Sequence, residues 1–143
     1  LDLESLSTET IRLAMLPDMK PIILAFAFNP ADNSSCAVTV QNHLKIIDWR
    51  TKGVVSSTSP STDDPLQYLA FSPDGQKIAF TCSTAANTYL YDIKNKSTTI
   101  LPCDSIINSL AISKDGKILA AGGDESILLF DMKTYENIGT LSG

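Results

Sequence analysis

Apolar residues in this chain come in short runs separated by polar turns, and the arrangement recurs three times. Ile22 to Asp48 reads IILAFAFNPADNSSCAVTVQNHLKIID, Leu66 to Asp92 reads LQYLAFSPDGQKIAFTCSTAANTYLYD, and Ile106 to Asp131 reads IINSLAISKDGKILAAGGDESILLFD. In each, an apolar strand ends at Phe28, Phe71 or Ile112 before a polar turn. A second strand follows from Cys36, Ile78 or Ile118, and a third closes on Ile47-Asp48, Tyr91-Asp92 or Phe130-Asp131. Asp2, Asp48, Asp92 and Asp131 each follow a bulky apolar residue, at intervals of 46, 44 and 39. A period of about 40 residues, rich in β-branched and aromatic side chains, predicts one small sheet per repeat.

Each repeat resolves into four short strands. Strand a is expected over 22–28, 66–71 and 107–112, and strand b over 36–40, 77–82 and 117–121. Strand c is expected over 44–48, 87–92 and 126–131, and strand d over 54–58, 97–101 and 136–141. Strands a and b are nearly continuous apolar runs (LAFAF, KIAF, KILAA), the pattern of strands covered on both faces. Strand d is polar (VVSSTS, STTIL, ENIGTL), as an outer edge should be. Pro73-Asp74-Gly75 and Lys114-Asp115-Gly116 join a to b, because Asp-Gly supplies the positive φ of a tight turn. The first repeat has the longer Pro30-Ala31-Asp32-Asn33-Ser34 instead. Residues 1–20 fit the outer strand of a preceding sheet, with TIRLAML over 10–16 as its strand; an amphipathic helix over 8–16 competes for that stretch. Ser56 to Pro65 is a polar loop too short to divide domains.

At these residues the chain resembles the WD40-repeat β-propellers, over essentially its whole length. The resemblance rests on Phe71-Ser72-Pro73-Asp74-Gly75, on Ile112-Ser113-Lys114-Asp115-Gly116, and on the closing Ile47-Asp48, Tyr91-Asp92 and Phe130-Asp131. It implies an all-β fold: a β-propeller segment of about three four-stranded antiparallel blades plus one extra N-terminal strand. The repeats would fall at about 21–61, 65–104 and 105–143, within a larger propeller. There are departures. No repeat has Trp before its closing Asp, Trp49 follows Asp48 instead, and the Gly-His that opens a typical repeat is missing. The Asp–His–Ser–Trp hydrogen-bond network typical of the family cannot be assembled from these residues. Asp124 alone stands where the family's structural Asp would be. The TolB-like periplasmic propellers use a phrase similar to Ser72-Pro73-Asp74-Gly75, so the second repeat fits either family; the closing Asp and even spacing favour WD40.

Composition narrows the function. A net charge of −5, with eleven scattered Lys and Arg, argues against nucleic acid, which needs a clustered basic face. No apolar run approaches the roughly 18 residues of a membrane span. Cys36, Cys82 and Cys103 are odd in number and unpatterned, which reads as free thiols in a reducing compartment. With His43 alone beside them there is no metal-ligand spacing, and no cofactor is expected. His43 is read as a loop histidine next to Asn42. Gly122-Gly123-Asp124-Glu125 has the look of a phosphate loop, yet it enters a strand and lacks a following Lys, so it reads as the b–c turn. No catalytic constellation is found, and no enzyme is expected within the segment. Ser59-Pro60 would accept a proline-directed phosphate, a weak signal.

What remains is binding through loops on a rigid scaffold. In propellers resembling this one, partners dock on the face made by the d–a and b–c loops. Here those loops carry Asp63, Asp64, Asp104, Asp124 and Glu125, with Gln67 and Asn108 on strand a. Such a rim would take a protein or basic peptide, although the same charges also read as loop solvation. Trp49, at the opposite end, is either an anchor for a partner or packed on its own loop. Because the chain opens on Leu1-Asp2 without Met, it is expected to be a piece of a longer polypeptide, cytoplasmic or nuclear. A propeller needs about four to eight blades. Two open faces with about five apolar side chains each would leave roughly 10 kcal/mol of burial unmade, so missing blades are expected from the rest of the chain or another copy. The alternatives are a TolB-like periplasmic binding propeller, or the non-catalytic domain of an enzyme whose active site lies elsewhere.

Overall fold

A computed structural model describes residues 22–60 and 63–143. Among these, twelve strands form three four-stranded sheets with strands in sequential order. The first blade is β1 (Ile23–Phe28), β2 (Ser35–Val40), β3 (His43–Asp48) and β4 (Gly53–Thr58). The second is β5 (Leu66–Phe71), β6 (Lys77–Cys82), β7 (Asn87–Asp92) and β8 (Ser97–Pro102). The third is β9 (Ser109–Ile112), β10 (Ile118–Gly122), β11 (Ser126–Asp131) and β12 (Asn137–Ser142). All neighbours pair antiparallel. The first strands β1, β5 and β9 lie side by side in that order, so the second blade is flanked by the other two. The fold is the all-β propeller segment that the repeats imply. The strand or helix expected within residues 1–20 lies outside the described residues.

Pairing sets the third repeat one residue out of step with the other two. Phe28 sits opposite Cys36 and Phe71 opposite Ile78, but Ile112 sits opposite Leu119, not Ile118. This single step decides which side chains meet the neighbouring blade, because strand side chains alternate between faces. Ile78, Phe80 and Cys82 of β6, with Tyr89 and Tyr91 of β7, face the first blade. They meet Ala37, Leu44 and Ile46. Leu119 and Ala121 of β10, with Leu128 and Phe130 of β11, face Ala79, Leu90 and Leu101 of the second blade. Each blade thus turns a mostly bulky face to its predecessor and sets alanine at the middle of β2 and β6 toward its successor. Phe80 and Tyr89 stack with centroids 5.3 Å apart inside the first interface. Tyr91 shares a 2.5 Å hydrogen bond with Ser56 across it.

The expectation that strands a and b are covered on both faces holds for β6 and not for β1 or β9. Phe26 and Phe28 of β1 are each 66% exposed, on the side away from the second blade. On that same side Val38, Val40 and Ile47 are buried beside Cys36, whereas Ile23 and Val54 are exposed. At the other end, Ile118, Ile127 and Leu141 are exposed on the side of the third blade that faces away from the second. The polar strands β4, β8 and β12 are the outer edges, as their composition requires.

The turns explain the repeated carboxylates. Gly75 and Gly116 have φ of 70° and 73°, as the Asp-Gly pairs demand. A side chain at Gly75 would also collide with Asn29 and Ala31 of the adjoining turn. Ser72 Oγ donates to Asp74 at 2.6 Å and accepts the Lys77 N–H at 2.9 Å. Ser113 and Asp115 repeat this, with Ser113 Oγ donating at 2.6 Å. In the first blade Asp32 does the same work, accepting from Ser34 and Ser35. The closing aspartates cap the c–d connections: Asp48 accepts the N–H of Arg50 and Thr51, Asp92 that of Asn95, and Asp131 those of Lys133 and Thr134. Four residues past each, Lys52, Lys96 and Tyr135 take positive φ.

Truncating Phe80 to Ala should cost about 3–5 kcal/mol, because its cavity lies inside a blade interface. Tyr91→Phe should cost only about 1 kcal/mol, the worth of one hydrogen bond. Urea melts of the two variants check both, and a Phe80→Ala loss no larger than that of Tyr91→Phe would contradict the packing scheme.

Candidate functional site

In antiparallel blades, the d–a loops and b–c turns emerge at one end and the a–b and c–d turns at the other. The acidic residues singled out from the sequence therefore share an end, and the structure gathers them into two groups. In the first, the Asp64 carboxylate accepts a short hydrogen bond from Thr84 in the b–c turn of the second blade. Asp63 beside it is exposed, and Gln67 lies half-buried on β5. In the second, Asn108 Nδ2 donates to Asp124 at 2.6 Å, while Ser126 Oγ lies 3.4 Å from Asp104. A depression of about 740 Å³ opens there, lined by Asp104, Ser105, Asp124, Glu125, Ser126 and Thr140 among others.

Two placements differ from expectation. Asn108 was expected on strand a, but β9 begins at Ser109; Asn108 instead ends the loop, its N–H donating to Gly122 O at 2.7 Å. Buried Ile107 just before it anchors that loop in the core, which is why the strand starts late. His43 was expected in the b–c connection and is the first residue of β3, opposite Val40; the turn itself is Gln41 and Asn42. Trp49 lies at the opposite end from the rim, in the c–d turn, with the Arg50 guanidinium 5.5 Å from its ring. It is half-buried and stands apart from the acidic rim.

The residues that sequence reasoning missed are the hydroxyls that hold the acids: Thr84, Ser105 and Ser126. A signal existed. Asp64 precedes Thr84 by 20 residues and Asp104 precedes Ser126 by 22, each reaching from a d–a loop to the b–c turn or the first residue of the strand after it. Gly123, read from the sequence as part of the b–c turn, has a steric reason to be glycine: a side chain there would collide with Ser105 Oγ, so the turn lies directly on the d–a loop.

The chemistry offered is acceptance of hydrogen bonds and positive charge. Burial pushes the thiols of Cys36, Cys82 and Cys103 above the ordinary value, which lowers their thiolate fraction and their reactivity. Among the described residues, no group of three or more His, Cys, Asp or Glu could hold a metal ion. No described helix is long and apolar enough to cross a membrane.

Comparison with known proteins agrees with this geometry. Residues 95–131 match the WD domain, G-beta repeat. The match runs from just before β8 through β9, β10 and β11 to the closing Asp131, so these WD40-like features sit on observed strands. No curated protein matches the chain. Among solved structures it is similar to a chain titled "Kuenenia stuttgartiensis Hydrazine Synthase", at 17% identity and a TM-score of 0.76. That likeness covers 85% of this chain and 36% of the other, and at such identity it speaks for the fold alone.

The turn carboxylates make stability depend on acid. The Ser72 hydroxyl and then the Gln76 N–H hold Asp74 below the ordinary value of 3.8. Asp92 is lowered chiefly by the Asn95 N–H and Asp32 by the Ser35 hydroxyl. A carboxyl lowered on folding contributes stability that is present above its unfolded value and lost as pH falls through its folded one. Melting temperature should therefore hold above about pH 4 and drop below it, and the drop should be smaller in Asp74→Asn. Thermal melts across that range test it; equal acid sensitivity in the variant would be contrary.

Proposed function

We propose that this segment is a non-catalytic protein–protein interaction scaffold of the WD40 type, working in the cytoplasm or nucleus as part of a larger protein or complex. The WD40 match and the rigid three-blade frame support that reading, since such repeats generally mediate protein interactions. Its partner is a basic peptide or protein surface, engaged at the rim of d–a loops and b–c turns. The single observation that carries this is the depression lined by Asp104, Asp124 and Glu125. Asp63 and Glu125, both exposed, are the positions that steer an incoming cation.

The test is affinity for a lysine- and arginine-rich peptide at low and high salt. Asp63→Lys with Glu125→Lys should weaken binding about tenfold at low salt and flatten its salt dependence. Unchanged affinity in that variant would overturn the reading. Asp104 and Asp124 are left intact in this experiment because they also hold the loop.

The exposed apolar faces at either end of the segment are covered by further blades, from the rest of a longer chain or from another copy. Light scattering on residues 1–143 should show association or aggregation, and a well-behaved folded monomer would count against it. A second reading, that the segment is a non-catalytic domain of an enzyme, draws on the likeness to a chain whose title names a synthase.

A further inference from the structure

We propose that the free edge of β8 is a docking site for an extended peptide segment of a partner protein, which adds to the second blade as a fifth strand. The three outer strands are not alike. β4 is irregular against β3 between Ile46 and Ile47, and β12 against β11 between Leu129 and Phe130. In each case one extra residue, Val55 or Ile138, sits on the outer strand. Such bulges bend an edge and spoil it as a template for pairing. β8 has none: it pairs with β7 without interruption from Ser97↔Asp92 to Pro102↔Asn87.

The phase of its hydrogen bonds follows from one contact. Cys103 N–H donates to Ala86 O at 3.0 Å. Because main-chain groups alternate in direction along an antiparallel strand, Leu101, Thr99 and Ser97 address β7. Thr98, Ile100 and Pro102 therefore turn their main-chain groups outward. The position of the proline agrees, since it lacks a donor where no ladder bond is made. Thr98 and Ile100 also share a side-chain face, the one toward the first blade, where Thr98 Oγ1 lies 3.3 Å from Thr58 Oγ1. Ile100 on that face is still 54% exposed.

An incoming strand would pair with the main chain of Thr98 and Ile100 and lay every second side chain along the crease between β8 and β4. The occupant is thus an extended segment free of proline, with a β-branched or aromatic residue in register beside Ile100. This rests on sheet geometry alone, so it stands or falls separately from the acidic rim.

Hydrogen exchange of backbone amides tests it, with a blocked peptide of alternating threonine and valine as probe. At saturating peptide, exchange at Thr98 and Ile100 should slow about tenfold, while Thr99 and Leu101, already bonded to β7, should not change. Ile100→Pro removes only an outward donor and should abolish the slowing at Thr98; Ile100→Thr keeps the donor and should retain it. A peptide N-methylated on its pairing edge should be inert toward the wild-type chain, which tests the idea even if the proline variant folds poorly. No slowing, equal slowing by the N-methylated peptide, or protection that rises with protein concentration alone would overturn the proposal; the last would assign the edge to a second copy.

Discussion

Every blade in this molecule depends on a face it does not itself own. A four-stranded sheet of about 40 residues cannot bury two apolar surfaces alone, so its stability lies in the contact with its neighbour. That contact has a direction. Phe80, Tyr89 and Tyr91 of the second blade press on Ala37, Leu44 and Ile46 of the first; Leu119, Leu128 and Phe130 of the third press on Ala79 and Leu90 of the second. Setting aromatic side chains over the alanine at the middle of the receiving strand lets twisted sheets approach closely. It also gives the stacking a direction, since two aromatic faces would not interdigitate as densely.

The two ends of the blades are then free for different tasks. At one end, carboxylates are consumed by their own turns: Asp74 and Asp115 by serine hydroxyls, Asp48, Asp92 and Asp131 by the N–H groups that follow them. These are the residues that repeat most faithfully, and their work is local. At the other end, the acids reach across the chain. Asp64 meets Thr84, Asp124 meets Asn108, and Asp104 meets Ser126. The same side chains that make this rim negative also hold each d–a loop to the blade it introduces. A partner that draws on those charges would act on loops already set in place, which limits the entropy lost on binding.

The outer edges and open faces carry a different message. Exposed Phe26 and Phe28 lie on the outer side of the first blade, and Ile118, Ile127 and Leu141 on the outer side of the third. Along the perimeter, β4 and β12 carry bulges that protect them, and β8 does not. Three kinds of surface are thus left uncovered among the described residues: polar loops, apolar faces and one straight strand edge.

Much of this was legible in the residues. Strand number, order and spans follow from apolar runs and Asp-Gly turns, because both signals are local, the runs recurring three times and the Asp-Gly turn twice. The shared end of Asp63, Asp64, Asp104, Asp124 and Glu125 follows from strand alternation alone. What the sequence could not settle was whatever depends on residues distant along the chain. Aligning the repeats sets Ile118 level with Cys36 and Ile78 as the start of the second strand; only the pairing placed Leu119, one residue on, opposite Ile112, a step that exchanges the two faces of a strand. The hydroxyls that hold the rim acids, and Ile107 pulling Asn108 off its strand, also came from contacts between elements. Local chemistry determined the blades, and the packing of one blade on the next decided which side chains were left to meet anything else.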